Sequence, residues 1–197
     1  MIRFTTKLFL ILAATLLPTG VWGQEPFWTE VSNETALQTA LNTSGHIKMT
    51  GDIAAATNNG FTIGNTINVE VTLDLNGYTL SNNYYTSSRT SVITIHNGST
   101  VTIKDSNGSG EGRGIITGGD SQNSVRGGGI HNYGTLTIQS GKISGNNAYI
   151  AGGGGTYTGG GGAIYNESGA TLTIEGGEIY DNRAHQVGGI YNEGTLH

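Results

Sequence analysis

From Ile47 onward, apolar and polar residues alternate with a period of two, which is the pattern of β-strands with one buried face. Between Val69 and Leu75 every second residue is Val or Leu, and the residues between them are polar. Asn76-Gly77 then favours a turn, and the alternation resumes at Tyr78. The pattern predicts short strands separated by tight turns over most of the chain.

The residues before Ile47 follow a different pattern. Between about Asn33 and Asn42 the apolar residues fall on one side of a helix, and Gly45 suits its end; they are Ala36, Leu37, Ala40 and Leu41. We therefore predict a loose lead-in from Gln24 to Thr29 and a short helix within residues 24–46. Such a helix would cover the open first coil of a stack of strands.

One segment recurs along the chain: an Ile, then His or Tyr, then Asn, followed shortly by a Thr-rich apolar stretch. Its copies are Ile95–Ile103, Ile130–Ile138, Ile164–Ile174 and Ile190–Leu196, with spacings of 35, 34 and 26 residues between the leading Ile residues. Spacings in this range indicate solenoids, propellers or arrays. The shortest step predicts one bare coil, and the longer steps leave room for loops at Asp105–Gly119 and Ala151–Gly160.

These repeats are too short for the four strands of a propeller blade, and they lack the Leu framework of leucine-rich repeats. We therefore predict an all-β fold, a single-stranded parallel β-helix over residues 47–197. A general rule on parallel connections makes the coil right-handed.

The repeat predicts which side chains lie over each other from coil to coil. Ile130, Leu136, Ile138 and Ile143 are predicted to point inward above their equivalents. We predict a structural ladder of stacked Asn side chains at Asn97, Asn132, Asn166 and Asn192. We also predict an outward file that forms a binding surface at His96, His131, Tyr165 and Tyr191. The Gly pairs before each leading Ile indicate either a positive φ angle or close backbone approach.

Composition agrees with a fold of many corners. The chain has 34 Gly among 197 residues, without the three-residue period of collagen, and it has no Cys. Residues 1–23 read as a signal peptide: Arg3 and Lys7 precede an apolar run that is too short to span a bilayer, and cleavage is expected near Gly23-Gln24. The mature chain then carries 9 − 2 = 7 basic and 14 acidic residues. A net charge of -7 without basic clusters disfavours nucleic acid as a partner.

The Gly161-Gly-Ala-Ile164 string, together with Ile143-x-x-Asn146 and Ile179-x-x-Asn182, resembles the GGA(I/L/V) and FxxN repeats of polymorphic outer-membrane proteins, with Ile in place of Phe. The resemblance covers about residues 127–197 and implies a β-helical surface adhesin. The segments Gly51-Asp-Ile53 and Leu73–Tyr78 look like the first coils of pectate-lyase-like β-helices. The last repeat stops early at His197, so we expect an amino-terminal fragment of a longer protein.

No cluster of residues points to catalysis. The candidate acids and bases fall on loops or singly on outward positions, which favours solvated surface charge; they are Asp105, Asp120, Glu167, Glu175, Glu178, Asp181, Lys104, Arg113 and Arg126. His96 and His131 occupy equivalent positions, but no Cys or carboxylate completes a metal site with them. Residues Gly108–Gly114 superficially resemble a phosphate loop, but no Lys-Ser/Thr follows. We expect no cofactor and no metal.

The expected function is therefore that of a secreted or cell-surface, outer-membrane-associated scaffold for adhesion or display, without enzymatic activity. Its expected partners are host or environmental glycans or surface proteins, and it would meet the membrane only through a missing carboxy-terminal part. A fragment whose last coil lacks a cover would expose a strand edge, and that it never folds stably is one possibility left open. Two alternative functions also remain open. Catalytic coils of a polysaccharide lyase or glycosidase would lie beyond His197. The Thr-x-Thr pairs at Thr100, Thr135 and Thr171 would instead bind ice, unless inserted loops interrupt the surface or Thr is there only because it favours strands.

Overall fold

The structure, a computed structural model, describes residues 26–82, 90–107, 113–121, 127–148 and 160–197. The predicted signal peptide and the residues from Ala151 to Gly159 lie outside the described residues. Within the described ranges, no helix is long and apolar enough to cross a membrane.

One helix and nineteen short strands make up the described part of the chain. In chain order they are β1 (Trp28–Val31), α1 (Glu34–Leu41), β2 (Gly45–Met49), β3 (Ile53–Ala54), β4 (Phe61–Ile63), β5 (Glu70–Asp74), β6 (Thr79–Ser81), β7 (Ile93–Ile95), β8 (Thr100–Lys104), β9 (Ile115–Thr117), β10 (Ile130–Asn132), β11 (Thr135–Ile138), β12 (Lys142–Ser144), β13 (Asn147–Ala148), β14 (Ile164–Asn166), β15 (Thr171–Ile174), β16 (Glu178–Tyr180), β17 (Arg183–Ala184), β18 (Ile190–Asn192) and β19 (Thr195–Leu196).

The strands form three long parallel sheets through which the chain passes in turn. Sheet A has the order β1-β2-β5-β8-β11-β15-β19, sheet B the order β3-β6-β9-β12-β16, and sheet C the order β4-β7-β10-β14-β18. The short strands β13 and β17 form a further parallel pair between sheets B and C. The fold is therefore a parallel β-helix, as predicted, and the right-handed coil stays a prediction.

The core consists of columns in which an aliphatic or aromatic side chain lies over its equivalent in the next coil. The register gives the columns Ile47-Leu73-Ile103-Ile138-Ile174 in sheet A, Ile53-Leu80-Ile116-Ile143-Ile179 in sheet B and Phe61-Ile93-Ile130-Ile164-Ile190 in sheet C. Burial of one such side chain is worth about 1.5–3 kcal/mol. The predicted inward residues Ile130, Leu136, Ile138 and Ile143 are all buried.

The Gly residues before Ile130 and Ile164 allow close backbone approach and do not need a positive φ angle. Gly128 and Gly162 lie over each other at the entry to sheet C, and neither has a left-handed φ. The N–H of Gly128 donates to the carbonyl of Gly161 at 3.0 Å, and the N–H of Gly162 donates to the carbonyl of Val187 at 2.9 Å. A Cβ atom on Gly128 would lie 2.8 Å from the Asn147 carbonyl oxygen and closer still to that of Gly162. Glycine is needed here because backbone atoms fill the space of a side chain.

The amino-terminal end begins earlier than the sequence pattern indicates. The predicted lead-in is wrong for Trp28 and Thr29, which belong to β1 and pair in parallel with His46 and Ile47 of β2. Strand β2 itself starts at Gly45. Residues 28–31, Trp-Thr-Glu-Val, do not alternate apolar and polar, so the sequence pattern does not indicate this strand. The strand pairs with β2 and extends sheet A by one coil.

Helix α1 confirms the predicted helix and packs on the first coil. The side chain of Asn33 accepts the Ala36 N–H at 3.0 Å and caps the helix at its start. Leu37 and Leu41 are fully buried in the core, and Ala36 and Ala40 pack against it. The apolar face of the helix is therefore the lid of the first coil.

Polar side chains of α1 also bind the strand edges that this lid meets. The Gln38 side chain donates to the Thr62 carbonyl at 2.7 Å and accepts the Thr62 N–H at 3.0 Å, as a neighbouring strand would. Thr62 lies in β4, the edge strand of sheet C. Glu34 accepts the N–H of Ala56, just after the edge strand of sheet B, at 2.9 Å. In sheet A the edge strand is β1, so the polar side chains of α1 cover the edges of sheets B and C.

Replacing Gly128 by Ala should lower the free energy of unfolding by about 1–3 kcal/mol, because the new methyl group overlaps backbone atoms that cannot move independently. Gly189→Ala is the matched control: the position follows the same repeat, no atom would lie within 4 Å of the added methyl group, and its φ is not left-handed. Urea denaturation measures both. Equal stability of the two variants would contradict the close-approach explanation.

Replacing Gln38 by Ala should expose the edge of β4, and the Thr62 amide should exchange its hydrogen with solvent faster. Thr35→Ala, on the exposed side of the same helix, serves as the control for altered helix propensity. Hydrogen exchange followed by NMR measures the Thr62 amide directly. Unchanged protection in the Gln38 variant would show that the helix does not cap this sheet.

Candidate functional site

Three Asn side chains stack directly over each other at one end of sheet C. The side chain of Asn132 donates to that of Asn166 at 2.7 Å, and Asn166 donates to Asn192 at 2.7 Å. Asn132 and Asn166 are fully buried, and their remaining N–H groups reach the carbonyls of Thr171 and Thr195. The ladder therefore joins sheet C to sheet A across three coils, as the repeat predicts.

Asn97 does not belong to this ladder, and that part of the prediction is wrong. Asn132 pairs with Ile95 instead, and Ile130 pairs with Ile93. The physical reason is the length of the corner: four residues separate Ile95 from Thr100, but only two separate Asn132 from Thr135. Asn97 is an exposed turn residue before Gly98, which has a φ of 82°. In the two coils before Asn132, the residues at the ladder position are Ile95 and Ile63, so the column is apolar there.

A second Asn ladder lies at the end of sheet B, where the sequence showed the repeat but no ladder was predicted. The Asn146 side chain donates to Asn182 at 3.0 Å and to the Ile116 carbonyl at 3.1 Å, and it accepts the Gly119 N–H at 3.1 Å. Asn146 is 1% exposed. The matching Ile-x-x-Asn spacing was the signal available in the sequence.

The predicted outward file exists from His131 onward, but much of it is buried. His131, Tyr165 and Tyr191 pair in register on the outer side of sheet C. The rings of Tyr165 and Tyr191 are stacked with centroids 5.1 Å apart, and those of His131 and Tyr133 lie 4.2 Å apart. These three residues, together with Tyr133, which packs on His131, are called the aromatic file. His131 is 4% exposed and Tyr165 is 0% exposed, so the accessible members of the file are Tyr133 and Tyr191.

His96 is not part of the aromatic file, because the same corner displaces it. The position below His131 is taken by Thr94. His96 instead lines a polar cleft of about 510 Å³ beside helix α1, with Glu34, Gln38 and Asn59. The prediction that His96 and His131 are neighbours in the stack is therefore wrong.

The candidate acids bind separate partners. Glu167 lies 2.9 Å from the His131 ring, Glu178 lies 2.7 Å from Arg113, Glu175 accepts from Gln139 at 3.1 Å, and Asp120 accepts from Asn147 at 3.1 Å. Asp105 is 6% exposed, which corrects its interpretation as surface charge. Its carboxylate accepts the N–H groups of Gly77 and Gly114 at 2.7 and 2.8 Å and so fixes the corner between sheets A and B.

The remaining sequence candidates do not assemble into a site in the described residues. Within those ranges no three His, Asp or Glu side chains are grouped so that they could hold a metal ion. Lys104 lies 5.1 Å from the centre of the Trp28 ring, where it makes a cation–π contact. Arg126 and most of the Gly108–Gly114 segment lie outside the described residues.

Replacing Asn166 by Ala should cost about 1–3 kcal/mol of unfolding free energy, because Asn132 and Asn192 both lose a buried partner. Asn97→Ala should change it by less than about 0.5 kcal/mol, since that side chain is exposed. Guanidinium denaturation of both variants compares them. If Asn97→Ala lowered the free energy of unfolding as much as Asn166→Ala, the result would contradict the observed register and would place Asn97 in the ladder.

Comparison of the chain with models of known protein families, with curated protein sequences and with solved structures gave no match. The assignment to a parallel β-helix therefore rests on the strand pairing alone.

Proposed function

We propose that this protein is a secreted or cell-surface β-helix that serves as a non-enzymatic scaffold for adhesion. The observation that carries the proposal is that chain segments of different length leave the register intact. Twelve residues separate Ala148 from Gly161, but two separate Ala184 from Val187, and both pairs of flanking residues remain paired. A fold that absorbs such insertions at a fixed place keeps a rigid frame while its surface varies.

The aromatic file gives this scaffold a contact surface. Tyr133 is 40% exposed and Tyr191 is half-buried, and both rest on buried His131 and Tyr165. A Tyr ring offers apolar area together with a hydroxyl group, which suits contacts with glycans and with protein surfaces. Because stacked neighbours hold the rings, little side-chain entropy is lost on binding.

The resemblance of the Gly-Gly-Ala-Ile and Ile-x-x-Asn repeats to those of polymorphic outer-membrane proteins supports the same function. Gly162 and Asn146 of these repeats have structural roles, at the close backbone approach and in the second ladder. The repeat motif therefore supports the proposed adhesin because it builds the rigid scaffold. The exposed side chains would select the ligand.

Binding of the purified chain to a glycan array and to cultured cells tests the proposal. Wild-type protein should bind at least one glycan class or cell type, and Tyr191→Ser should weaken that binding. Tyr180→Ser is the matched control, because Tyr180 is 42% exposed in the same last coil but lies on sheet B. Absence of wild-type binding in both assays, or an equal loss in the Tyr180 variant, would refute the proposal. Release of reducing ends from a panel of polysaccharides would show an enzyme instead.

A further inference from the structure

The outer side of sheet A carries a regular array of Thr side chains over four consecutive strands. The register places them in two files, Thr100-Thr135-Thr171-Thr195 and Thr102-Thr137-Thr173. These seven residues of β8, β11, β15 and β19 form the threonine face. The strands alternate strictly, since the residues between them, such as Leu136 and Leu172, are buried in the core.

The hydroxyl groups of the threonine face are available to a ligand. Thr100, Thr135 and Thr195 are exposed, and the other four are half-buried. None of the seven side chains makes a hydrogen bond to another residue in the part of the chain that the structure describes. Neither file contains a charged residue across β8, β11 and β15. Toward the amino terminus the next strand is β5, where Glu70 pairs with Thr100 and Thr72 pairs with Thr102, so the charge of Glu70 ends the first file there.

The Thr side chains of the face repeat at constant distances in two directions, across the strands and along them. Neighbouring strands lie about 4.8 Å apart, and residues two apart along a strand are separated by about 6.6 Å. In chain order, the segments 83–89, 122–126 and 149–159 each join a strand of sheet B or its extension to sheet C, and only 108–112 follows a strand of sheet A. Three of the four segments therefore do not adjoin the face in the chain, and the one that does, 108–112, follows only its first strand, β8.

We infer that the threonine face binds ice. Its two repeat distances are comparable to those between oxygen atoms on the faces of hexagonal ice, so each hydroxyl group can replace a lattice water at regular intervals. The methyl groups between them order the adjoining water without competing for its hydrogen bonds. A soluble glycan or a protein would need fewer identical positions and more varied donors than this face presents. The inference is independent of the proposed adhesion through sheet C.

Ice shaping and thermal hysteresis of the purified full chain test this inference. Wild-type protein should produce faceted crystals and a gap between melting and freezing temperatures. Thr137→Tyr, at the centre of the face, should abolish both, because the larger ring would hold the ice surface away from the neighbouring Thr side chains. Thr79→Tyr is the matched control: this Thr is also half-buried on a strand, but on sheet B.

The exposed Thr135→Lys variant repeats the test with a change that demands no rearrangement of neighbours, and circular dichroism verifies that each variant is folded. Loss of ice shaping in both sheet A variants and its retention in Thr79→Tyr would support the inference. Round, unshaped crystals with wild-type protein, or an equal loss in the Thr79 variant, would overturn it.

Discussion

Parallel stacking of equivalent residues in register is the constraint on which the rest of this structure depends. Each strand binds the equivalent strands of the coils beside it through backbone hydrogen bonds, so a side chain has the same neighbour type above and below it. Ile103 and Ile138 thus lie in one column, and Asn132 and Asn166 in another. For an apolar residue this stacking buries area, and for an Asn it satisfies an amide that would otherwise be costly to bury. Both kinds of column strengthen the same register.

This constraint explains why the corners differ in length while the strands stay in register. Between sheets C and A the chain uses four residues after Ile95, two after Asn132, four after Asn166 and two after Asn192. Strands that follow the corners remain in register, as the pairing of Thr100, Thr135 and Thr171 shows. A corner needs only a backbone conformation that reverses the chain direction, whereas a strand has to pair in register with the strands of the two neighbouring coils. Variation is therefore confined to the corners, where it changes the surface and spares the core.

The sequence was sufficient for the fold because columns of like residues repeat visibly along the chain. Ile130, Ile164 and Ile190 were aligned correctly, and so were the Thr-rich strands β8, β11 and β15. The error at Ile95 arose because the chain repeats Ile-x-Ile at residues 93–95, so that Ile95-His-Asn imitates Ile130-His-Asn. Only the strand pairing distinguishes a four-residue corner from a two-residue one. The burial of His131 and Tyr165 could not be predicted from the sequence either. Alternation indicates on which side of a strand a residue lies, but it does not show which other residues cover that side.

The sheets of this solenoid carry different chemistry on their outer sides, which follows from the same constraint. Because every coil adds one residue to each file, a residue type that suits one coil is repeated at a fixed distance in the next. On sheet C this produces stacked rings, and on sheet A it produces hydroxyl groups. A periodic ligand can contact every coil of such a file, whereas a compact ligand contacts one or two. In the proposed ice binding, the number of coils would therefore set the strength of binding, whereas in the proposed adhesion the identity of single exposed residues would set it.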